Sequence, residues 1–397
     1  VRPANAPDSI VTNDVQHTSF NDRLVVTAWY DGKQVTEALP VTAYAFDWAA
    51  SRRVHGQATF VFADPDGDLW PRSIADALGV AGSRLQVAYW FGATDTVIPL
   101  GWWRIRRTDP DILWQWRYVE GQHVWLPGGG TVTVQADEEL VSYYLERLDI
   151  GERATTRNSV LAEVEHLARN PYLGFEVNQG VANRPLQTGL ALPENRLDAI
   201  QQLLDRIGAT YRQSPTGLEV IPAAGTAVEW RIEPGEGGTL IRLENTMDDR
   251  DLANGVTSWR DLDTQPGSSG GVLVGRARLV DGPLRWGGPF GRVLMFRGAN
   301  LATEQAQVDE DAATTLARIT QTGDVHLSLE TLCHPGLQLG DRVTLLAPEY
   351  PAARPLEGRV VQVGWRGTDG LAEKKMSLTV AVPHDQFHSV ERNLNYA

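Results

Sequence analysis

Cysteine is almost missing: Cys333 is the single one in 397 residues, so no internal disulfide can form and the redox compartment stays undecided. Long apolar runs are missing too. No stretch approaches the roughly 18 consecutive apolar residues of a membrane span, and the opening VRPANAPDSIVTNDVQ has no apolar signal core. Together these absences predict a soluble chain without a readable export signal. Basic charge is in deficit, with 36 Lys and Arg against 50 Asp and Glu and a formal net charge of -14. That balance excludes a protein that grips nucleic acid over a broad basic face, although passage of nucleic acid along an acidic, non-adhesive channel stays compatible with it. Signature motifs are absent as well: there is no H-E-x-x-H, no G-x-x-x-x-G-K, and no dinucleotide fingerprint in a strand-turn-helix setting.

What is present divides into three regions. A chain this long suggests two to four domains, each able to bury a core of its own. Residues 1–150 are strand-like, with β-branched and aromatic runs such as QATFVFADPDGDLW and RLQVAYWFGATDTVIPLGWWRIRRTD broken by turn residues, and Asp31-Gly32 marks a hairpin. A tube-like β-barrel is expected there. After Gly128-Gly129-Gly130 and TVTVQADEELVSYYL the texture changes, and residues 151–228 form a small α+β insert. In it RNSVLAEVEHLARN carries Asn158 or Ser159 as N-cap, with Val160, Leu161, Val164 and Leu167 on one face. The stretch RLDAIQQLLDRIGATYRQSPTGLEVIP spaces Leu197, Ile200, Leu203, Leu204 and Ile207 along a helical face, puts Gly208 at a left-handed C-cap, and joins two strands through Ser214-Pro215-Thr216-Gly217. Burying those five side chains contributes very roughly ten kcal/mol before opposing terms, enough to dock the helix on the hairpin. Residues 229–397 return to strands, with one helix at about 301–319 bearing Val308, Ala312, Leu316 and Ile319 on its apolar face. The fold class is therefore mainly β with an α+β insert.

Each candidate for chemistry has a plainer alternative. Gly267–Gly271, GSSGG, matches the G-x-S-x-G nucleophile elbow around Ser269, but an elbow follows a strand and opens a helix, whereas a strand pattern follows here. Flexible linker composition explains it. Asp64–Asp68, DPDGD, alternates carboxylates as a calcium loop does, yet the twelfth position is Ala75 where a bidentate glutamate is needed, so a turn is expected. His326 and His334 flank Cys333 without the second pair a zinc site requires, and Cys333 fits a small buried hydrophobe. No catalytic, cofactor-binding or metal-ligating residue is assigned.

Tryptophan is the oddity: of 13, nine lie between Trp29 and Trp125, including Trp102-Trp103 and the alternating Trp114 and Trp116. Such alternation fills a core or a subunit contact; a sugar-stacking platform is the sharper alternative. Adjacent tryptophans on a strand point to opposite faces and cannot line one groove together.

The order of several motifs adds a resemblance. PLGWWRIRR after the ADPDGDL turn looks like the amino-terminal domain of minor tail proteins from long-tailed, siphovirus-type phages of actinobacteria. RLDAIQQLLDRIGATYRQSPTGLEVIP resembles the helix and hairpin of phage tail hub proteins, and DLANGVTSW, ATEQAQVDEDAATTLARI and GLQLGDRVTLLAPEYPAARPLEGRVVQVGWRG follow in the hub order, covering most of residues 40–385. The resemblance implies two tube-like barrel domains with a small helix-hairpin domain, and a homotrimer that presents a pseudo-sixfold ring. It also implies a virion structural protein at the tail tip, assembled in the host cytoplasm. Such a hub caps the distal tube and lets DNA pass through its lumen. The partners implied are the tail tube, distal tail, tape measure and tail fibre or spike proteins, with no cofactor and no enzymatic activity, since the chain ends at Ala397 without room for a wall-digesting extension. The acidic balance suits a lumen that repels DNA, and net acidic lumen-facing residues are expected. A carbohydrate-binding tail-tip protein that recognises the host envelope through the tryptophan-rich region is the alternative. A hydrolase using Ser269 or an acidic pair is a third possibility.

Overall fold

The computed structural model describes residues 22–92, 95–236, 238–246, 253–261, 271–282, 284–299, 302–321, 325–346, 355–368, 371–383 and 386. The first region supplies β1 (Arg23–Tyr30), β2 (Lys33–Gln34), β3 (Val41–Ala49), β4 (Gly56–Ala63), β5 (Arg84–Phe91), β6 (Thr96–Val119) and β7 (Gln122–Glu138). The insert follows with α1 (Leu140–Leu145), α2 (Val160–Leu167), β8 (Gly174–Val177), α3 (Arg196–Asp205), β9 (Ala209–Gln213) and β10 (Gly217–Pro222). The third region holds β11 (Val228–Ile232), β12 (Leu240–Thr246), β13 (Gly255–Asp261), β14 (Val272–Arg278), β15 (Leu294–Gly298), α4 (Gln305–Gln321), β16 (Val325–Leu332), β17 (Arg342–Leu345), β18 (Leu356–Thr368) and β19 (Leu371–Val382). The protein is mainly β with an α+β insert.

Period-2 alternation builds the first barrel. Leu24, Val26 and Ala28 on β1 and Leu85, Val87, Tyr89 and Phe91 on β5 point inward while their neighbours face out. Asp31 and Gly32 adopt φ of 47° and 71°, the left-handed pair that a two-residue hairpin needs, and β1 turns back into β2 there. Pairing then runs β3-β4-β7-β6-β5-β1, and the cycle is closed by β18 on β3 and β19 on β1, with β18 and β19 paired to each other. Phe46, Trp48, Trp103 and Trp365 pack together inside, Phe46 stacking on Trp365 at 5.1 Å between ring centroids. One of those four rings thus comes from the far end of the chain.

The same hairpin also belongs to the second β layer, ordered β12-β16-β19-β18-β17-β11. On β18, residues Leu356–Arg359 pair with β17, and Gln362–Thr368 pair with β3. A bulge at Val361 marks the change of partner, and its carbonyl accepts from the Ala50 amide at 2.9 Å. A single apolar cluster runs from Leu24 to Val382 through both barrels, so they share one core.

The insert has its own core of Leu140, Tyr143, Val160, Val164, Ile200, Leu203 and Leu218. Asn195 caps α3, its side-chain oxygen accepting from the Leu197 and Asp198 amides, and Gly208 ends the turn beyond it at φ 63°. Ser159 occupies the N-cap position of α2 as its sequence predicts, but its side chain makes no capping bond. Asn183 takes over by accepting from the Leu161 amide, while Glu163 reaches back out of the helix to the Thr156 and Arg157 amides that precede it. The third-region helix begins at Gln305 rather than near 301 and packs on the three-stranded sheet β14-β13-β15.

Candidate assembly surfaces

The insert hairpin sits where the two barrels meet. Gln213 donates to the Trp102 carbonyl at 2.7 Å and accepts from the Leu140 amide at 3.2 Å, holding the first barrel. Its neighbour Arg212 bonds Glu219 at 2.7 Å, the Leu339 carbonyl at 3.0 Å and Asp341 at 2.6 Å, holding the third region. Those two carboxylates outweigh the cost of burial and raise the affinity of Arg212 for its proton. Gly101, at φ 96°, lets the β9-β10 turn approach: a Cβ there would lie 3.0 Å from the Gln213 amide nitrogen. The helix-hairpin unit is thus bonded to both the first barrel and the third region, as a strut between them.

Behind the strut a cavity of about 40 Å³ is lined by Trp48, His55, Glu138, Arg212 and Gln338. The Glu138 carboxylate accepts from Trp48 Nε1 at 2.7 Å and the Gly56 amide at 2.9 Å, but burial dominates and pushes its pKa up to about 7. His55 stacks on Tyr211 at 5.0 Å, and burial pulls its pKa down to about 4.

Asp64 is buried and its Oδ1 accepts from the Leu69 amide at 3.1 Å, which makes DPDGD a turn. No group of metal-ligating side chains occurs among the described residues. Cys333 lies in the shared core, its thiol pushed up by burial, and His334 packs against Trp230. Ser269 falls outside the described residues.

The tryptophans divide into two populations. Trp48, Trp103 and Trp365 fill the first barrel, whereas Trp114, Trp116 and Trp125 lie on an arm that β6 and β7 form beyond it. The arm leaves the barrel at a bulge between Ile112 and Trp114 and ends at Glu120-Gly121, with φ of 49° and 83°. Eight residues a side give it a reach of about 27 Å. Rings line one face as edge-on pairs: Trp70 with Trp114 at 6.4 Å, Trp116 with Trp125 at 5.1 Å, Tyr118 with His123 at 5.0 Å. The opposite face mixes exposed Leu113, Val119 and Val124 with Gln115, Arg117 and Gln122. Trp116 and Tyr118 are 66% and 68% exposed, so this apolar surface faces solvent in a single copy. A bare two-stranded ribbon is marginal in water, and an exposed aromatic face on it marks an interaction site.

A second surface spans β12, β16, β19, β18 and β3, where a groove of about 520 Å³ is lined by Asp47, Arg242, Glu244, Glu330, Arg366 and Lys375. Three acids stand against three bases, with Lys375 bonded to Glu330 at 3.2 Å. This face is charge-balanced, unlike the chain as a whole.

No known family profile and no curated protein matches the chain. Solved structures do. A 43 kDa tail protein of prophage MuSo2 from Shewanella oneidensis superposes with a TM-score of 0.61 at 11% identity, covering 91% of this chain and 98% of that one. A tail protein from Neisseria meningitidis gives 0.57 at 12%, covering 90% and 96%. The E. coli c3393 protein, a type VI secretion component described as structurally similar to the T4 tail proteins gp27 and gp5, gives 0.53 at 11%, covering 89% and 76%. At such identities the likeness establishes a shared fold with these tail proteins and nothing finer.

Proposed function

We propose that the chain is a non-enzymatic structural component of a phage tail, the tail-tip or baseplate hub, acting as a homotrimer. The carrying observation is the hairpin β18-β19, which fixes two barrels side by side in one chain. Three copies then present six barrels to a sixfold tube while keeping threefold symmetry at the tip, and closed rings need only one repeated interface. The aromatic arm is suited to that interface, because its exposed aromatic face needs cover and an adjacent copy supplies it. In this arrangement the protein caps the distal tube, contacts tube, distal tail, tape measure and fibre or spike proteins, and opens a lumen for DNA. Long-tailed phages of actinobacteria are the source that the motif order favours.

Native mass spectrometry of the purified chain tests this. A trimer is expected, and Trp116→Asp with Trp125→Asp should leave a folded monomer. A monomer at all concentrations that also fails to bind tail tube protein would overturn the proposal. The exposed ring ladder supports a second possibility, recognition of envelope carbohydrate. Retention on host wall glycans that disappears in the same double variant, with trimer formation intact, would favour it.

A further inference from the structure

We infer that the body formed by β13, β14, β15 and α4 is latched against the insert by ion pairs across a cleft, and that it swings open as a unit when those pairs are broken. This closure does not depend on the hub assignment.

Connectivity makes the body separable. Its three strands pair with one another, and among the described residues none joins the ladders of the barrels or of the insert. Its apolar side chains are likewise its own. Val256, Ala312, Leu316 and Ile319 cluster between β13 and α4, with Ala299, Ala302 and Val308 in a second group, apart from the insert core and from the core the barrels share. Displacing such a body breaks no strand ladder and opens no core, which places it at the low-stability end of local openings.

The surface between body and insert is held by charge. A cleft of about 360 Å³ separates α3 from α4 and the end of β15, and the apolar residues on its walls are small, among them Ala209, Ala223, Ala299 and Ala302. Protein interiors leave few voids larger than a water molecule, so these walls meet without the interdigitation that locks a core. The insert wall carries two bases and one acid, Arg184, Arg206 and Asp205; the facing wall carries one base and two acids, Arg297, Glu310 and Asp311. The two walls therefore attract. Arg184 bonds Glu310 at 2.6 Å and Arg297 bonds Asp205 at 2.8 Å, and both bridges cross the cleft. The Arg184 pair is more than half exposed, so salt screens it readily.

Arg297 also makes the open arrangement affordable. Its guanidinium lies 3.8 Å from Asp311 on α4, within its own body, so losing Asp205 does not strand it. Asp205 in turn keeps its bond from Gln201 at 2.7 Å within α3. A bridge whose members each hold a second partner on their own side has two discrete arrangements, whereas breaking a buried pair without such partners leaves an uncompensated charge.

Double electron–electron resonance on the full chain tests the inference. Nitroxide labels are introduced by Thr188→Cys in the insert and Ala313→Cys on α4, both exposed positions, and the native chain with its buried Cys333 is the unlabelled blank. One short distance should dominate at about 0.1 M NaCl. At about 1 M, where the screening length falls from ~10 Å to ~3 Å, a longer second distance should grow about fivefold or more. Asp205→Asn with Glu310→Gln should show the longer distance already at low salt, and labels at Thr188→Cys and Lys33→Cys, which report insert against first barrel, should keep one distance throughout. A single unchanged distance in the native chain at both salt concentrations overturns the inference whether or not the double variant folds. So does opening in salt that the folded double variant fails to reproduce, the result for a closure that these pairs do not hold. Lengthening accompanied by loss of helical circular dichroism also overturns it, because the body then unfolds instead of moving.

Discussion

Glu138 and His55 line one cavity, and their burial acts on stability in opposite directions. Glu138 rises from 4.5 to about 7, so the folded state holds its proton more tightly than the unfolded chain does. Its contribution is fully present below pH 4.5 and is lost as pH climbs through 7. A displacement of about 2.5 units corresponds to about 3.4 kcal/mol. His55 falls from 6.5 to about 4, so its contribution is present above pH 6.5 and is lost, by a similar amount, as pH drops through 4. In the native protein the two slopes largely cancel. Single substitutions should uncover them. Glu138→Gln leaves His55 alone, and the variant should weaken relative to the native chain by about 3 kcal/mol more at pH 4 than at pH 7.5. His55→Phe keeps the stack on Tyr211 and leaves Glu138 alone, so the variant should gain relative to the native chain on the acid side. Urea unfolding across pH 4 to 8, followed by tryptophan fluorescence, measures both. Curves for the two variants that run parallel to the native one within about 0.5 kcal/mol would refute burial as the cause.

Other outcomes follow from single contacts. Arg212→Met should cost about 3 to 5 kcal/mol, because Asp341 and Glu219 lose a buried partner, and differential scanning calorimetry should show the midpoint fall. Gly56→Ala places a methyl 2.5 Å from the Glu138 side chain and 2.7 Å from Trp48 Nε1, so a loss of roughly 1 to 3 kcal/mol is expected in urea titrations. Cys333 should resist Ellman's reagent in the folded protein and react fully once unfolded; rapid native reaction would contradict its burial.

How much of this was legible beforehand depends on whether the cause was local. The helix and hairpin of 196–222 could be read because every determinant lies within the segment: the apolar spacing of Leu197 to Leu204 and the left-handed Gly208. Ser159 shows the limit, since the bond expected of it is made by Asn183, 22 residues away from the Leu161 amide it serves. The shared hairpin β18-β19 was not visible, because alternation within 356–382 states which side chains point inward but not which partner lies beside them. The arm carried a signal of a different kind. From Trp114 to Tyr118 an aromatic residue stands at every second position with Gln115 and Arg117 between, the pattern of a ribbon with one aromatic face that needs cover. The core tryptophans Trp48 and Trp103 show no such local mark, and only the closed barrel distinguishes them.

Because β18 and β19 run unbroken from one barrel wall into the other, torque on either barrel reaches its neighbour through covalent backbone and in-plane shear of hydrogen bonds. A loop hinge would dissipate that twist, whereas a continuous pair of strands behaves as a stiff beam with slack only at the Val361 bulge. Rotation imposed at one end of the molecule therefore emerges as rotation at the other.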